Sequence, residues 1–358
     1  MQKKLIVLIV IAFCYSCTGN KKLPDVSNIK VAVTIHRFDN DFFDTTIPSV
    51  EKLPAMQLKY GNLFDYYLSK TFITDNLQNG VSPANAMDGF ISGYKPLYDS
   101  TQLLYKDLGW LQTTLQKDFK YYKYYFPNYN IPQIFTIVDG FYTDNPQSYY
   151  GVEYDGKDTL VVSLQMFLGK NFSGYNPEFY FDYLKEKFTK NYIVKNIFTT
   201  LLQTKIENKK VNNTIAKDTL NIPLPNTPNN GNTLIEAMVQ VGKLTYILNK
   251  VMPTETEAVA LGYTPQQLKQ CYTNEKEIWS HFVNANNLFT NEATIIKEYV
   301  GESPYTKAFG MDSPGNIGAF VGWRIVQQYM DNHANITLPQ LLQTNNKIIY
   351  TEAKYKPN

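Results

Sequence analysis

Histidine and cysteine, which supply most zinc ligands and many catalytic groups, are scarce in this sequence. Of the three histidines, His36, His281 and His333, none has a second histidine at the HExxH spacing that places two ligands on one helix face. No GxSxG nucleophile elbow is present. Cys271 lies in the helical pattern LKQCYTNEKEIW, where core packing is its expected role. We therefore predict no metal site, no cofactor and no catalytic residue, and expect that the protein is not an enzyme.

The acidic run DNDFFD could supply oxygen ligands to calcium through Asp39, Asp41 and Asp44. An EF-hand loop would also need a glycine at its sixth position and further oxygen ligands, which Thr45–Ile47 do not supply. The run is therefore interpreted as the solvated end of a strand, where Arg37 pairs with one of the acids. Arg37, Asp39 and Asp41 are predicted to form an interaction or ion-pair cluster.

A second stretch, SPGNIGAFVGWRIVQQYM, carries three glycines at spacings of three and four residues in a pattern that otherwise predicts a helix. Glycine destabilises a helix interior by about 1 kcal/mol relative to alanine, so the glycines need an explanation. The segment lacks the GxGxxG order and no strand pattern precedes it, which argues against a dinucleotide site. Arg324 and Gln327 interrupt the apolar 20-mer that a membrane dimer motif requires.

Close packing against a second helix is the remaining explanation for these glycines. Ser313 and Pro314 are suited to the N-cap and first helical position. Gly315, Gly318 and Gly322 are then predicted to share one helix face, where the missing side chains let a neighbouring backbone approach.

The first residues, MQKKLIVLIVIAFCYSC, predict a secretory signal peptide over residues 1–16. Leu5–Phe13 is too short to span a bilayer, which needs about 20 apolar residues. Cys17 follows the small residue Ser16, and this arrangement resembles a bacterial lipobox, although Cys14 and Tyr15 depart from its strict form. The resemblance implies that Cys17 is the site of lipid attachment, by a palmitate-type acyl chain; an ordinary signal peptide with an incidental cysteine is the alternative.

The spacing of apolar residues beyond Cys17 predicts a mainly α fold with a small central β-sheet, an α+β arrangement. Residues 17–30 read as a lipidated tether and residues 31–350 as a single mainly helical domain. Alternation from Val31 to Phe38 predicts an opening strand, the main β region is expected near 131–169, and a loop excursion near 208–232. With a net charge of +2 and no basic block, nothing points to nucleic acid.

Six ordered segments resemble the gliding-motility lipoprotein GldB family of Bacteroidetes. They are IHRFDNDFF, VVSLQMFLG, GKLTYILNKVMP, GYTPQQL, EKEIWSHFV and the glycine segment. The resemblance implies a cell-envelope lipoprotein required for surface gliding and associated with the machinery that also serves type IX secretion. Its partners would be the membrane, through the lipid, and envelope or gliding-machinery proteins.

A weaker likeness concerns zinc-dependent proteases, in which a strand precedes a helix that carries HExxH. Here the predicted strand Val161–Leu168 is followed by the helix Tyr192–Ile206, which contains neither histidine nor glutamate. Val241 lies where such proteases could place a later glutamate ligand. The likeness implies a degenerate zinc-peptidase-like scaffold that has lost its metal.

The leading hypothesis is a non-catalytic docking protein that uses an aromatic-rich surface, with Tyr121–Phe135 as the densest aromatic stretch. One alternative is an envelope hydrolase acting on peptide or glycan through Asp39, Asp41 or Glu236; another is a solute-binding lipoprotein with an apolar pocket. The tether begins CTGNKK and lacks the acidic run typical of surface export in these bacteria, so we expect the domain to face the periplasm.

Overall fold

The computed structural model describes residues 23–71, 76, 79–141, 151–155, 157–211, 232–285 and 287–357. The predicted signal peptide, Cys14 and Cys17, and most of the predicted excursion lie outside the described residues. No helix in the described ranges is both long and apolar enough to cross a membrane.

The described residues confirm the predicted mainly α fold with a small sheet. The strands are β1 (Ile35–His36), β2 (Gln133–Ile137), β3 (Val152–Tyr154) and β4 (Thr159–Ser163). The helices before the last strand are α1 (Phe38–Phe43), α2 (Ser49–Tyr60), α3 (Asn62–Lys70), α4 (Pro83–Tyr105) and α5 (Gly109–Tyr125). Those after it are α6 (Asp182–Lys185), α7 (Ile193–Val211), α8 (Leu234–Val251), α9 (Glu257–Leu261), α10 (Pro265–Thr273), α11 (Glu275–Asn284), α12 (Ala293–Val300), α13 (Ile317–Asn332), α14 (Leu338–Gln343) and α15 (Asn346–Ala353).

The sheet has the order β1-β2-β4-β3. β2 pairs in parallel with β1 and β4, while β3 and β4 form an antiparallel hairpin. Parallel neighbours need a long crossover, and helices α1–α5 provide it between β1 and β2. Three strands therefore end at the same edge of the sheet.

Two predicted strands are shorter in the structure than in the sequence interpretation. The opening strand covers only Ile35–His36, and the run DNDFFD lies in helix α1 rather than at a solvated strand end. The reason is that Phe38, Phe42 and Phe43 recur at helical spacing and are all buried. The strand predicted to continue to Leu168 ends at Ser163, and Leu164–Phe167 form a 3₁₀ turn with all four residues buried.

Helices α8 and α13 lie at the centre of the helical part of the core. Nearly every residue of α13 from Ile317 to Val326 is buried, and α8 is buried along most of its length. A helix that is apolar almost all round is expected to be surrounded by other elements. The capping-box arrangement at the start of α8, in which the Thr233 backbone N–H donates to Glu236 Oε2 at 2.9 Å, fixes where this helix begins.

The predicted start of the glycine-rich helix is wrong by three residues. Asn316 is the N-cap and Ile317 the first helical residue of α13. Ser313 bonds to the preceding loop instead: its hydroxyl accepts from the Thr306 backbone N–H at 3.1 Å and donates to the Gly310 carbonyl at 2.7 Å. This loop contact competes successfully with helix capping because it satisfies buried backbone groups.

Candidate functional site at the carboxyl ends of the parallel strands

The carboxyl ends of β1, β2 and β4 bring polar residues from distant parts of the chain to one edge of the sheet. Arg37 follows β1, Asp139 comes soon after β2, and Gln165 lies just past β4. In open sheets with parallel strands, ligands bind most often at this edge. This edge is therefore the candidate functional site.

Asp39 is the most heavily bonded carboxylate at this edge, and its side chain is fully buried. Arg37 binds it through two nitrogens, with Nε 3.0 Å from Oδ1 and Nη2 2.6 Å from Oδ2. Thr136 Oγ1 in β2 donates to Oδ1 at 2.5 Å, and Gln102 Nε2 in α4 donates to Oδ2 at 3.3 Å. Both carboxylate oxygens are thus engaged by the protein itself.

Arg37 links this carboxylate to the end of helix α4. Its Nη1 donates to the carbonyls of Tyr105 at 2.9 Å and Lys106 at 3.1 Å, and its Nη2 donates to Asn40 Oδ1 at 2.8 Å and Gln102 Oε1 at 3.1 Å. The guanidinium therefore satisfies orphan carbonyls at a helix C-terminus, where a cation is also favoured by the helix dipole. We call Arg37, Asp39, Gln102 and Thr136 the strand-end junction.

Asp41 does not join the strand-end junction. Its carboxylate bonds Lys59 Nζ and the Tyr60 hydroxyl, both on α2, and it is partly exposed. Two residues of an α-helix that are two positions apart point about 200° away from each other. Of the three residues predicted to cluster, Arg37 and Asp39 lie together and Asp41 lies apart.

A second polar group lies at the ends of β2 and β4. Gln165 is fully buried; its Nε2 donates to Asp139 Oδ1 and, at 3.4 Å, to the Gly140 carbonyl. The Tyr67 hydroxyl donates to the Val138 carbonyl at 2.6 Å. Gln165 Oε1 is buried and has no hydrogen-bond partner among the described residues. This buried oxygen therefore lacks a donor in the described part of the chain.

Burial and the two aspartates shape the ionisation of the surrounding groups. Burial, followed by the charges of Asp139 and Asp39, raises the pKa of Tyr67 well above its usual value. The pKa of Tyr94 is also raised, by burial and then by Asp139. Burial lowers the pKa of Lys70 to about 8, against the opposing effect of Asp139. The tyrosines are therefore protonated donors at neutral pH and are unsuited to act as bases or nucleophiles.

Asp139 and Gln165 each carry a sequence signal. Each residue directly follows a mostly apolar run: QIFTIV precedes Asp139 and LVVSL precedes Gln165. Their meeting depends on the parallel pairing of β2 with β4, which no local pattern specifies. Thr136 and Gln102 carry no sequence signal beyond being polar residues in a strand and a helix.

Glycines of α13 lie where another backbone approaches. A Cβ built on Gly322 would overlap the Met238 carbonyl of α8, and one built on Gly242 of α8 would overlap Gly322. A Cβ on Gly318 would lie 2.8 Å from the Tyr299 carbonyl oxygen and 3.1 Å from Met238 Cγ. The Gly242–Gly322 pair, which we call the glycine contact, lets α8 and α13 touch through their backbones.

Gly315 makes a different contact from the other two glycines of its segment. It precedes α13, and a Cβ there would overlap the Ser303 carbonyl. Ser303 Oγ also donates to the Gly315 carbonyl at 2.9 Å. Gly315 is thus closed in by a loop rather than by a helix, and it does not share a helix face with Gly318 and Gly322.

The remaining sequence candidates lie in separate environments. His36 stacks on Phe135 in the sheet, His281 Nε2 lies 3.0 Å from the Tyr299 hydroxyl, and His333 Nδ1 lies 2.9 Å from the Tyr329 carbonyl. Across the described ranges, no three His, Cys, Asp or Glu side chains are grouped so that they could hold a metal ion.

Cys271 and Glu236 take part in local structure. Burial raises the pKa of the Cys271 thiol to about 12, which keeps it protonated and unreactive. It borders a cavity of about 350 Å³ together with Asn274, Asp312 and Ser313. Glu236 caps α8, as described above, and Val241 lies partly exposed on the same helix.

The stretch Tyr121–Phe135 contributes to both core and surface. Tyr122 and Phe126 are buried, whereas Tyr124 is 49% exposed. The Tyr124 and Tyr125 rings pack edge to face with centroids 5.0 Å apart. An aromatic pair with one exposed ring and one partly buried ring suits contact with another protein.

The fold defines a mainly helical protein with a small mixed sheet. At the carboxyl ends of its parallel strands, the charged residues Arg37 and Asp39 are bonded to each other. A family model described as gliding motility protein GldB matches residues 19–357, and the chain belongs to this family. Membership connects the chain with gliding motility. No curated protein and no solved structure shows significant similarity to it.

Proposed function

We propose that the protein is a lipid-anchored component of the cell envelope that supports gliding motility by contacting other envelope proteins and catalyses no reaction. The observation that carries the proposal is the family match over residues 19–357, which begins two residues after Cys17. The matched family is itself named as a lipoprotein family. Acylation at Cys17 would hold the domain at a membrane, with residues 17–30 as the lipidated tether.

The strand-end junction supports a positioning role rather than catalysis. A catalytic carboxylate must be free to accept or donate a proton at the substrate. Asp39 instead accepts four hydrogen bonds, two of them from Arg37. Binding to partners would then fall to the outer surface, where Tyr124 and Tyr125 are candidates for contact.

The finer parts of the proposal concern orientation and partners. The tether sequence CTGNKK carries two lysines and no acidic residue, which favours a domain facing the periplasm. The partners we propose are proteins of the gliding machinery that also serves type IX secretion. Protease digestion of intact cells tests the orientation: loss of the protein before the cells are opened would contradict it.

Gene deletion followed by a colony-spreading assay tests the function. We expect spreading to be lost, to return with the wild-type gene, and to stay impaired with Cys17→Ala, which removes the acylated sulfur. Cys14→Ala is the matched control, because it removes a neighbouring thiol but leaves Cys17. Incorporation of labelled palmitate should disappear only in the Cys17 variant. Normal spreading of the deletion strain would contradict the motility role.

An envelope hydrolase is the second candidate, and the unpaired oxygen of Gln165 is the observation that favours it. A buried acceptor beside Asp139 could bind a donor of a peptide or glycan substrate. The test is release of soluble fragments from isolated cell walls. Release that is lost in Asp139→Asn, with thermal stability retained, would favour the hydrolase; no release by the wild-type protein would favour the docking role.

A further inference from the structure

A cluster of two lysines and one glutamate joins the segment after α6, the first turn of α7 and the segment after α12. Lys187 Nζ lies 2.5 Å from Glu302 Oε2, and the two side chains are 13% and 12% exposed. Lys195 comes from the first turn of α7. A Cβ built on Gly262 would lie 3.1 Å from Lys195 Nζ and 3.4 Å from Lys187 Nζ, so both amines flank the same glycine.

The carboxylate of Glu302 is bonded to only one of the two lysines. Glu302 forms its ion pair with Lys187. Lys195 has no hydrogen-bond acceptor among the described residues; its Nζ lies 5.4 Å from the centre of the Tyr192 ring. Lys195 is therefore a second amine in a crowded site, without a carboxylate of its own.

The surroundings of Lys195 disfavour its charged form. Burial is the main cause that lowers the pKa of Lys195 to about 7; the charge of Lys187 lowers it further, and Glu302 opposes the change. An uncharged lysine next to another cation is the arrangement that makes an amine nucleophilic at neutral pH. The other titratable groups at this cluster are Glu186, Tyr183, Tyr192 and Tyr263.

We propose that Lys195 is a nucleophilic amine that condenses with small aldehydes or ketones, and that Lys187 is the neighbouring cation that promotes this. The lone pair of Nζ attacks the carbonyl carbon, the carbonyl oxygen leaves as water with both amine hydrogens, and an imine remains. Nothing is oxidised or reduced. Lys195 keeps partial solvent exposure, which a small molecule needs in order to approach its amine. This covalent binding site is independent of the proposed docking role.

Reductive trapping tests the proposal. The purified protein is treated at pH 7 with acetaldehyde and cyanoborohydride, which delivers hydride to the imine and leaves an N-ethyl group that peptide mass mapping locates. We expect Lys195 to be modified at least about tenfold faster than exposed lysines such as Lys170, because an ordinary lysine in water is almost entirely charged at this pH.

Three variants assign the effect to the cluster. Lys187→Met removes the neighbouring cation and frees Glu302 to pair with Lys195, so the midpoint of the rate against pH should move up by about one unit or more. Lys187→Arg keeps the charge and should retain fast modification. Lys347→Met removes an exposed lysine on α15, away from the cluster, and should change nothing at Lys195.

Modification of Lys195 at the rate of Lys170 or slower in the wild-type protein would overturn the proposal and make the cluster a structural ion pair. So would an unchanged pH midpoint in Lys187→Met, provided that thermal unfolding shows the variant to be folded. Fast modification that Lys187→Met slows and Lys187→Arg preserves would support it.

Discussion

The strand-end junction and the glycine contact both join parts of the chain that are far apart in sequence, but they use opposite means. The junction fills the space between β1, β2 and α4 with charged and polar side chains that bond one another. The glycine contact removes side chains, so that the backbones of α8 and α13 meet directly. Removing side-chain atoms should therefore destabilise the strand-end junction, whereas adding side-chain atoms should destabilise the glycine contact.

The largest expected effect is at the strand-end junction. Asp39→Ala leaves the Arg37 guanidinium without its carboxylate partner in a buried site. Breaking a buried ion pair on one side typically lowers the free energy of unfolding by about 3–5 kcal/mol. Urea denaturation of the purified protein measures the change. A loss below about 1 kcal/mol, the range of exposed pairs, would show that the junction does not hold these elements together.

The glycine contact should be broken by a single methyl group. Gly322→Ala places a Cβ on the Met238 carbonyl, so the two helices must separate. We expect a loss of about 1–3 kcal/mol, typical of overpacking, from the same denaturation experiment. Gly318→Leu should be destabilising for the same reason, because its Cβ meets the Tyr299 carbonyl oxygen at 2.8 Å.

Gly93→Ala is the matched control for the glycine contact. Gly93 lies inside α4, is exposed, and has no atom within 4 Å of a built Cβ. Alanine there should raise the free energy of unfolding by up to about 1 kcal/mol, through better helix propensity. If Gly93→Ala and Gly322→Ala lowered the free energy of unfolding equally, close approach of the two backbones would not explain the glycine at position 322.

A third test compares the paired Asp39 with an unpaired buried acid. Asp118 in α5 is fully buried and neither carboxylate oxygen has a partner among the described residues. Burial raises the pKa of Asp118 to about 7, with a further contribution from Glu255. In the unfolded chain the Asp118 carboxyl group has its ordinary pKa of 3.8, so it loses its proton at a lower pH than in the folded protein. The free energy of unfolding should therefore fall as the pH rises from about 4 to 7, and level off above pH 7.

Asp118→Asn should remove this part of the pH dependence. Between pH 5 and pH 8 the wild-type protein should lose on the order of 2 kcal/mol more than the variant, because one pKa unit corresponds to about 1.4 kcal/mol. Thermal unfolding across this range measures the difference. Asp99 is an exposed acid on α4, so Asp99→Asn is the control that shows the effect of removing a carboxylate from the surface. If the stability of the wild type and of Asp118→Asn changed with pH in the same way, Asp118 would not be the cause of this pH dependence.

The smallest expected effect is at Asp41, two residues from Asp39. Its pair with Lys59 is exposed, with 61% and 38% of the two side chains open to solvent. Asp41→Asn should change the free energy of unfolding by less than about 1 kcal/mol. A loss as large as that of Asp39→Ala would show that exposure does not distinguish the two aspartates.

Local pattern was enough to predict the fold class. The predicted helical spacing and the predicted β region near 131–169 both appear in the structure, because hydrophobic periodicity acts over a few positions. Asp39 shows where this reasoning stops. Its neighbours in the sequence suggest a solvated run, while its partners Gln102 and Thr136 lie 63 and 97 residues further along the chain.

The sequence by itself determined the helical character, the small sheet, the family and the presence of closely spaced glycines. Only the tertiary structure decided that Asp39 is buried, that Asp139 meets Gln165, and that Lys195 lies beside the Lys187–Glu302 pair. The physical reason is that hydrophobic period and helix propensity are local properties of the chain. Burial, hydrogen bonding and charge pairing depend instead on which distant segments the parallel strands and the packed helices bring together.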